Sequence, residues 1–326
     1  MFSAKRIVTT ALLAIFAAIC AGGALEAAFP EKPITIMVPY NPGGGSDLSA
    51  RTMAKFLSKH LGSPVVVSNK PGGGGFSEPA RILKTKNLHD GYMLMLLGGI
   101  NVCPEIFQQQ YPYTYEDFRA VGNISLSIGC IAVGNDTPYK TLKDLVEAAK
   151  SAPAPIKYSR AATGGTSHIT PVLLAETYGL SMEDVPYNGD ADSATALLRG
   201  EVKVASAHPG SLIPHHQNGS IRILAILAPQ RLSSIPEIPT FKEAGYDLPV
   251  AALSPIGLFA PAGVPDEAVR AISDGMLKVA TDPEFLDEVE KMNIMPYVVV
   301  GEDYDKHMGE FSDVIGPLIK KIGLYK

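Results

Sequence analysis

The sequence predicts an α/β protein of two lobes, each a mainly parallel sheet flanked by helices. Three observations predict it. Apolar, partly β-branched runs of strand length alternate with helix-periodic segments from Ile34 to Leu97, the order of a sheet covered on both faces. A second strand–helix series begins near Ile156. Glycine-rich turns stand between strand and helix in both series, at Gly43-Gly44-Gly45 and again at Gly164-Gly165. With 326 residues, 46% hydrophobic and 19% charged, the chain can fill two ordinary cores.

Residues 1–28 have the pattern of a secretory signal peptide: Lys5 and Arg6, an apolar run from Ile7 to Cys20, then small residues through Ala28. The apolar run is too short to span a bilayer comfortably, so cleavage and export of a soluble protein are expected. The mature chain keeps Cys103 and Cys130, neither in a CxxC or metal spacing, and buried free thiols are expected.

The elements then follow in order. Ile34–Val38 reads as a buried parallel strand, and Leu48, Met53, Phe56, Leu57 and Leu61 recur at helical spacing behind the first glycine turn. Pro64–Asn69 is a second strand, Gly72–Gly75 its turn, and Tyr92–Leu97 a third strand ending in Gly98-Gly99. The right-handed crossover rule makes this βαβαβ order a parallel sheet whose ligands bind at the strands' carboxyl ends. Tyr40–Asp47 and Gly98–Asn101 therefore share an edge. Phe118–Val121 and Ile128–Val133 are two short strand-like runs, and Thr141–Ala149 is an amphipathic helix with Leu142, Leu145, Val146 and Ala149 on one face. The second series runs from the strand Ile156–Ser159 through the loop Ala161–His168, a helix Val172–Tyr178, a strand around Val185, the turn Tyr187–Asp190 and a helix Ala194–Leu198. Val202–Ala207 and Ile221–Leu227 are further strands. After a proline-rich stretch over 228–250 come a strand at Ile256–Phe259, helices Asp266–Val279 and Pro283–Met292, an edge strand Pro296–Val300 and a last amphipathic helix Tyr304–Ile322. A chain that enters a second lobe and returns needs two links, placed near 122–128 and 250–256. Residues 29–125 with 252–326 then form lobe 1, and 126–251 form lobe 2.

A strand, a glycine turn and a helix N-terminus make an anion-receiving device, because glycines let N–H groups approach and the helix dipole adds partial positive charge. The alternative is a turn capped by Ser46 or Asp47 that binds nothing. Gly164-Gly165-Thr166-Ser167-His168 echoes the first turn, which suggests two lobes facing one another. Arg160, at the end of its strand, could pair with a carboxylate or stand as a solvated charge. His208 stands at a strand's carboxyl end, where it is either a ligand contact or an ordinary loop histidine.

Other chemistries are disfavoured. A formal net charge of −5 argues against a nucleic-acid partner. No P-loop or G-x-G-x-x-G fingerprint is present, since Leu48 stands where the third glycine should be. Gly165-Thr166-Ser167-His168-Ile169 lacks the last glycine of a nucleophile elbow. His215 and His216 are adjacent, with no carboxylate at metal-ligand spacing. No catalytic residue, metal or cofactor is expected.

Seven motifs together resemble the Bug (tripartite tricarboxylate transporter) solute-binding receptors. They are Pro33–Tyr40; the Gly-Gly-Gly-Ser-Asp turn with Arg51; Asn69–Gly75; Asp90-Gly91-Tyr92; Thr163–His168; Val185–Gly189; and Gly257–Gly263. The likeness covers nearly all of the mature chain, in order. It implies a two-lobed periplasmic binding protein of the type II, flytrap-like kind, acting as a monomer. Such a receptor closes on a small carboxylate, a di- or tricarboxylate or an aromatic acid, and delivers it to transporter membrane subunits. The implied ligand residues are Tyr40, Gly43, Gly44, Gly45, Ser46, Asp47 and Gly99 from the first lobe. From the second they are Arg160, Thr163, Gly164, Gly165, Thr166, Ser167, His168, Tyr187, Gly189 and, in the loop after Val202–Ala207, His208. Family members often carry an acid where this chain has Ala207, another where it has Lys203, and a small residue where it has Arg160. That departure leads to the expectation of a site widened toward more anionic ligands. Two alternatives are a ligand-sensing receptor for a signalling system and an exported hydrolase using Ser167 and His168.

Overall fold

The computed structural model describes residues 29–43, 45–71, 80–83, 88–98, 115–161, 163–187, 189–249, 253–321 and 323. The leader assigned to 1–28 lies outside these residues, as do Gly44, Gly99 and Cys103. Strand β1 (Ile34–Val38) is buried on both faces, with Ile34, Ile36 and Val38 in one core and Met37 in another, which is why it reads as an unbroken apolar run. It is followed by α1 (Gly45–Leu61), β2 (Val65–Asn69) and β3 (Met93–Gly98). The chain then forms a ten-residue strand β4 (Phe118–Ser127), and only Ile128 separates it from β5 (Gly129–Gly134).

The next series is α2 (Leu142–Ser151), β6 (Ile156–Arg160), α3 (Thr166–Tyr178), β7 (Met182–Pro186), α4 (Asp190–Leu198), β8 (Val204–Ala207), α5 (Pro209–Gln217) and β9 (Ile221–Leu227). It closes with β10 (Ser254–Pro261), α6 (Asp266–Ala280), α7 (Pro283–Lys291), β11 (Met295–Val300) and α8 (Glu302–Lys321). Helix α2 starts at a reciprocal capping box: Thr141 accepts from the Asp144 N–H, and the Asp144 carboxylate accepts from the Thr141 N–H.

Two sheets result, a six-stranded one in the order β11-β4-β10-β3-β1-β2 and a five-stranded one in the order β7-β6-β8-β5-β9. Both are mixed rather than mainly parallel. β1 pairs in parallel with β2 and β3, and β6 with β7 and β8, as the βα order requires. β10 runs antiparallel to β3 and β4, β11 to β4, and β5 to β8 and β9. The antiparallel strands are those on either side of the two crossings between sheets. There the chain changes sheet with no helical crossover to restore its direction.

Helix α1 covers the first sheet and packs closely on α6 at Gly275, where a Cβ would come 2.7 Å from Leu57 Cδ1 and that side chain would have to shift. Helix α8 feeds Met308, Phe311, Ile315 and Ile319 into a core that also holds Met37 and Met95 of the first sheet and Ile131 and Val204 of the second. At its end Lys321 forms an ion pair with Glu176 on α3. Among the described residues no helix is long and apolar enough to cross a membrane.

Candidate functional site

The turn after β1 is braced from beneath by three side chains. Asp47, in the first turn of α1 and 1% exposed, accepts from the Gly43 N–H at 2.9 Å, from Arg51 Nε at 2.9 Å and from Asn69 Nδ2 at 2.8 Å. Asn69 Nδ2 also donates to the Tyr40 carbonyl at 3.0 Å, and Arg51 donates to Asn69 Oδ1 at 2.8 Å. Gly43 turns the chain at φ 91°, a left-handed conformation that favours glycine. Burial by itself would raise the Asp47 pKa. The hydrogen bonds from Arg51, Gly43 and Asn69, with the Arg51 charge, outweigh it and hold the carboxyl below the usual range. Asp47 therefore supports the turn, and the helix's first N–H groups, which have no partner within the helix, are presented above it.

The second loop is held in the same manner from its own side. Gly164, at φ 75°, donates its N–H to His168 Nδ1 at 3.1 Å, and the Ala161 N–H donates to Ser167 Oγ at 3.2 Å. Gly165 is the N-cap of α3 with no side-chain cap, leaving that helix's first N–H groups open as well. Burial, and after it the nearby Arg160 charge, push His168 down to about 4, so the ring is neutral near pH 7. Ser167 and His168 thus each serve the loop, and no hydrogen bond joins them as nucleophile and base.

Arg160 is 7% exposed and ties the same loop to β7. Its Nε and Nη2 both lie 2.7 Å from Asp184 Oδ2, and Nη1 donates to the Ala161 carbonyl at 3.0 Å and to Thr163 Oγ1 at 2.9 Å. Its neighbour Ser159 points to the other face of the sheet, where its Oγ donates to the Ser193 carbonyl and accepts from Ser193 Oγ. The side chain of Arg160 thus faces α3. Its charge is balanced by Asp184, which removes one premise of the expected shift toward more anionic ligands.

His208 brings the N-terminal end of α5 against that of α1. It caps α5, its Nδ1 accepting from the Gly210 N–H at 3.3 Å, and its ring lies against Gly45 of α1: a Cβ on Gly45 would sit 3.3 Å from His208 Cδ2. With Nδ1 accepting, the proton of the neutral ring is assigned to Nε2. Burial pushes the ring down to about 4. The backbone N–H of His208 donates to Asp190, whose carboxyl is pushed up to about 6 by burial against the effect of that bond. Asp190 Oδ1 is buried with no partner among the described residues.

Sequence reasoning missed Asp190, because it reads as an ordinary polar residue of the turn Tyr187–Asp190, whereas the helix begins at it. Asp190 places a carboxyl group at the end of β8, against the His208 N–H. Tyr187 packs beside this core and turns its hydroxyl to Glu201 at 3.2 Å, while Gly189 has open space on its Cβ side. Cys130 is a buried free thiol that donates to the Ala207 carbonyl at 3.2 Å; burial raises its pKa. No cluster of metal-ligating side chains occurs among the described residues. Of the expected site residues, the structure brings Gly45 to His208, Gly43 to Asp47, Gly164 to His168 and Arg160 to Thr163. Gly44 and Gly99 lie outside the described residues.

Comparison with known proteins places this geometry. A family model described as "Tripartite tricarboxylate transporter family receptor" matches residues 49–324. The UPF0065 protein in gbd 5'region of Cupriavidus necator is 30% identical over 305 residues, which is 91% of this chain and 90% of that protein. A solved structure of a periplasmic transporter superposes with a TM-score of 0.78 at 29% identity, covering 90% of this chain and 98% of that one. The periplasmic binding protein BugD superposes with a TM-score of 0.73 at 26% identity, over 91% of this chain and 100% of its own. Two more distant structures share the fold: Rpa4515 of R. palustris with adipate (24% identity, TM-score 0.78) and MatC of Rhodopseudomonas palustris with malate (21% identity, TM-score 0.71).

Proposed function

Because the chain belongs to the tripartite tricarboxylate transporter receptor family, whose members are periplasmic binding receptors and not enzymes, we propose that it captures a small carboxylate between its two sheets and passes it to the membrane subunits of a transporter. The proposal includes cleavage of a leader within 1–28, a first lobe of 29–125 with 252–326, a second lobe of 126–251, and closure of one lobe on the other.

The observation that carries this reading is the approach of Gly45 to His208. It sets the open N–H groups of α1 opposite the His208-capped end of α5, with the turn before α1 fastened by Asp47 and Arg51 and the loop before α3 by Arg160 and Asp184. Both arginines of these loops, Arg51 and Arg160, are neutralised by Asp47 and Asp184. The ligand's charge is then met by main-chain N–H groups, helix dipoles and the His208 Nε2–H, with water between where the fit is loose. Such a site suits one or two carboxylates on a short chain. The adipate and malate bound by the two distant structures are of this size, so dicarboxylates head the panel to test.

The test is thermal unfolding of the mature protein against mono-, di- and tricarboxylates and aromatic acids. A ligand at about 100 times its dissociation constant adds roughly 2.7 kcal/mol of stability. A panel that stays flat after the protein has been unfolded, dialysed and refolded would remove the carboxylate from the proposal.

A further inference from the structure

A groove of about 300 Å³ opens on the second sheet, between the edge strand β7, its neighbour β6 and helix α3. It is walled entirely by these elements and their connection, and none of the first sheet's residues lines it. Strand alternation explains it. Tyr158 and Arg160 of β6, and Met182 and Asp184 of β7, project to one face, and α3 leaves that edge uncovered. The floor is apolar, made by Pro171, Val172, Leu180 and Met182.

The polar groups at its rim form two unfinished sets. A guanidinium has five N–H groups. Arg160 uses Nε and one Nη2 hydrogen on Asp184 and both Nη1 hydrogens on the loop, so one Nη2 hydrogen remains. His168 takes the Gly164 N–H on Nδ1, and its Nε2–H has no partner among the described residues. On the acceptor side Asp184 Oδ1 receives no bond from a described residue, and Glu176 is paired through one oxygen with Lys321. Besides the Tyr158 hydroxyl, the groove therefore offers two donors, two acceptors and a smaller apolar patch. A carboxylate alone would face Asp184 and Glu176, and an ammonium alone would face Arg160; a zwitterion satisfies both.

We propose that this groove is a second ligand site, for a free α-amino acid with an apolar side chain. The carboxylate lies on Arg160 Nη2 and His168 Nε2, the ammonium between Asp184 and Glu176, and the side chain on the floor of Val172, Leu180 and Met182. The site is the rear face of the loop Ala161–His168 and does not depend on what the interlobe cleft binds.

Isothermal titration of the purified protein with L-leucine tests it. Three compounds serve as controls: 4-methylpentanoate, which lacks the ammonium; 3-methylbutylamine, which lacks the carboxylate; and glycine, which lacks the apolar chain. Leucine is expected to bind saturably at about 1 mM or tighter, and each control at least about tenfold more weakly. Ala175→Trp fills the groove from α3 and should abolish the leucine heat. Glu176→Gln, at an exposed helix position, should weaken it about tenfold without threatening the fold. Gly45→Leu, which obstructs the cleft, should leave it unchanged. Three results would overturn the proposal: no saturable heat at about 10 mM leucine from protein with a native circular dichroism spectrum; a control bound as tightly as leucine; or leucine binding lost in Gly45→Leu yet kept in both groove variants.

Discussion

Replacing Arg160 with alanine should cost the ligand-free protein about 2–3 kcal/mol and weaken every carboxylate ligand by a similar factor. The magnitude follows from what the side chain holds. Two bonds run to the loop, one to the Ala161 carbonyl and one to Thr163 Oγ1, each worth about 1 kcal/mol net. The ion pair to Asp184 adds to this. Breaking a buried pair costs about 3–5 kcal/mol, but Asp184 is 35% exposed and regains water, so the pair is discounted to about 1 kcal/mol. The loop presents the open end of α3, and freeing it makes any ligand spend energy on ordering it again. That loss does not depend on ligand charge. Urea unfolding followed by circular dichroism reads the first quantity, and calorimetry with a mono-, a di- and a tricarboxylate reads the second. Arg160→Ala and Asp184→Asn should also be non-additive in a double-mutant cycle, since both break one pair. Unchanged stability with a loss of affinity that grows with ligand charge would refute this reasoning, because it would mean that Arg160 touches the ligand.

Gly45→Leu should weaken the cleft ligand at least about tenfold while shifting the ligand-free melting temperature by no more than about 2 °C, since the first turn of a helix accepts a side chain and only the approach of His208 is obstructed. Asn69→Ala should destabilise by about 2 kcal/mol and weaken the same ligand, because Tyr40, Asp47 and Arg51 all lose their shared partner; denaturant midpoints with and without ligand check both effects. Asp190→Asn should be more stable than the natural protein at pH 7, by up to about 3 kcal/mol, with the difference vanishing near pH 4. The sign follows from a carboxyl held at about 6 when folded and about 3.8 when unfolded: the folded state keeps its proton longer, so this group's contribution falls as pH rises from 3.8 to 6. His168 and His208, each pushed to about 4, act in the opposite direction and lose stability as pH falls from 6.5 toward 4. The Asp190→Asn protein should therefore show a steeper acid transition, measured as melting temperature against pH.

Much of the first sheet was legible because its physics is local. Ile34–Val38 is apolar on both faces because both faces are covered, and the glycine turn must follow where Gly43 takes φ 91°. The amphipathic stripe of α2 and the edge strand β11 were legible for the same reason. Only the start of β4, Phe118–Val121, is legible as strand and 122–128 reads as a link, because Asn123 and Ser125 look like loop residues. Both are buried: Asn123 Nδ2 donates to the Tyr297 carbonyl while its Oδ1 has no partner among the described residues, and Ser125 donates to Ser49 on α1. The mixed pairing was not legible, since it depends on β10 inserting between β3 and β4 from a distant part of the chain. At the site, the loops could be read but the partners of their side chains could not. Arg160 meets Asp184 only through the β6–β7 register, and Asp190 matters only because α4 delivers it to the end of β8.

These partners decide how an acidic protein holds an anion. The chain carries a formal charge of −5, and its two loop arginines are neutralised by Asp47 and Asp184. The two histidines at the loops are neutral near pH 7 because burial has driven them to about 4. What remains to face a ligand is a set of N–H groups on helix ends, and these carry no proton that pH can remove. Affinity should then be nearly flat from pH 7 to pH 8. Salt should weaken it only slightly, because short-range dipoles are screened far less than paired surface charges. Between pH 7.5 and 5.5, well above the two loop histidines at about 4, Asp190 changes charge at about 6. Its neutralisation removes a negative charge from beside His208, so an anionic ligand should bind more tightly at pH 5.5 than at pH 7.5, and Asp190→Asn should erase that difference. Calorimetry at the two pH values in both proteins decides it. A pH effect that survives the substitution would place the titrating group elsewhere and, with it, a charge that the dipole account has no use for.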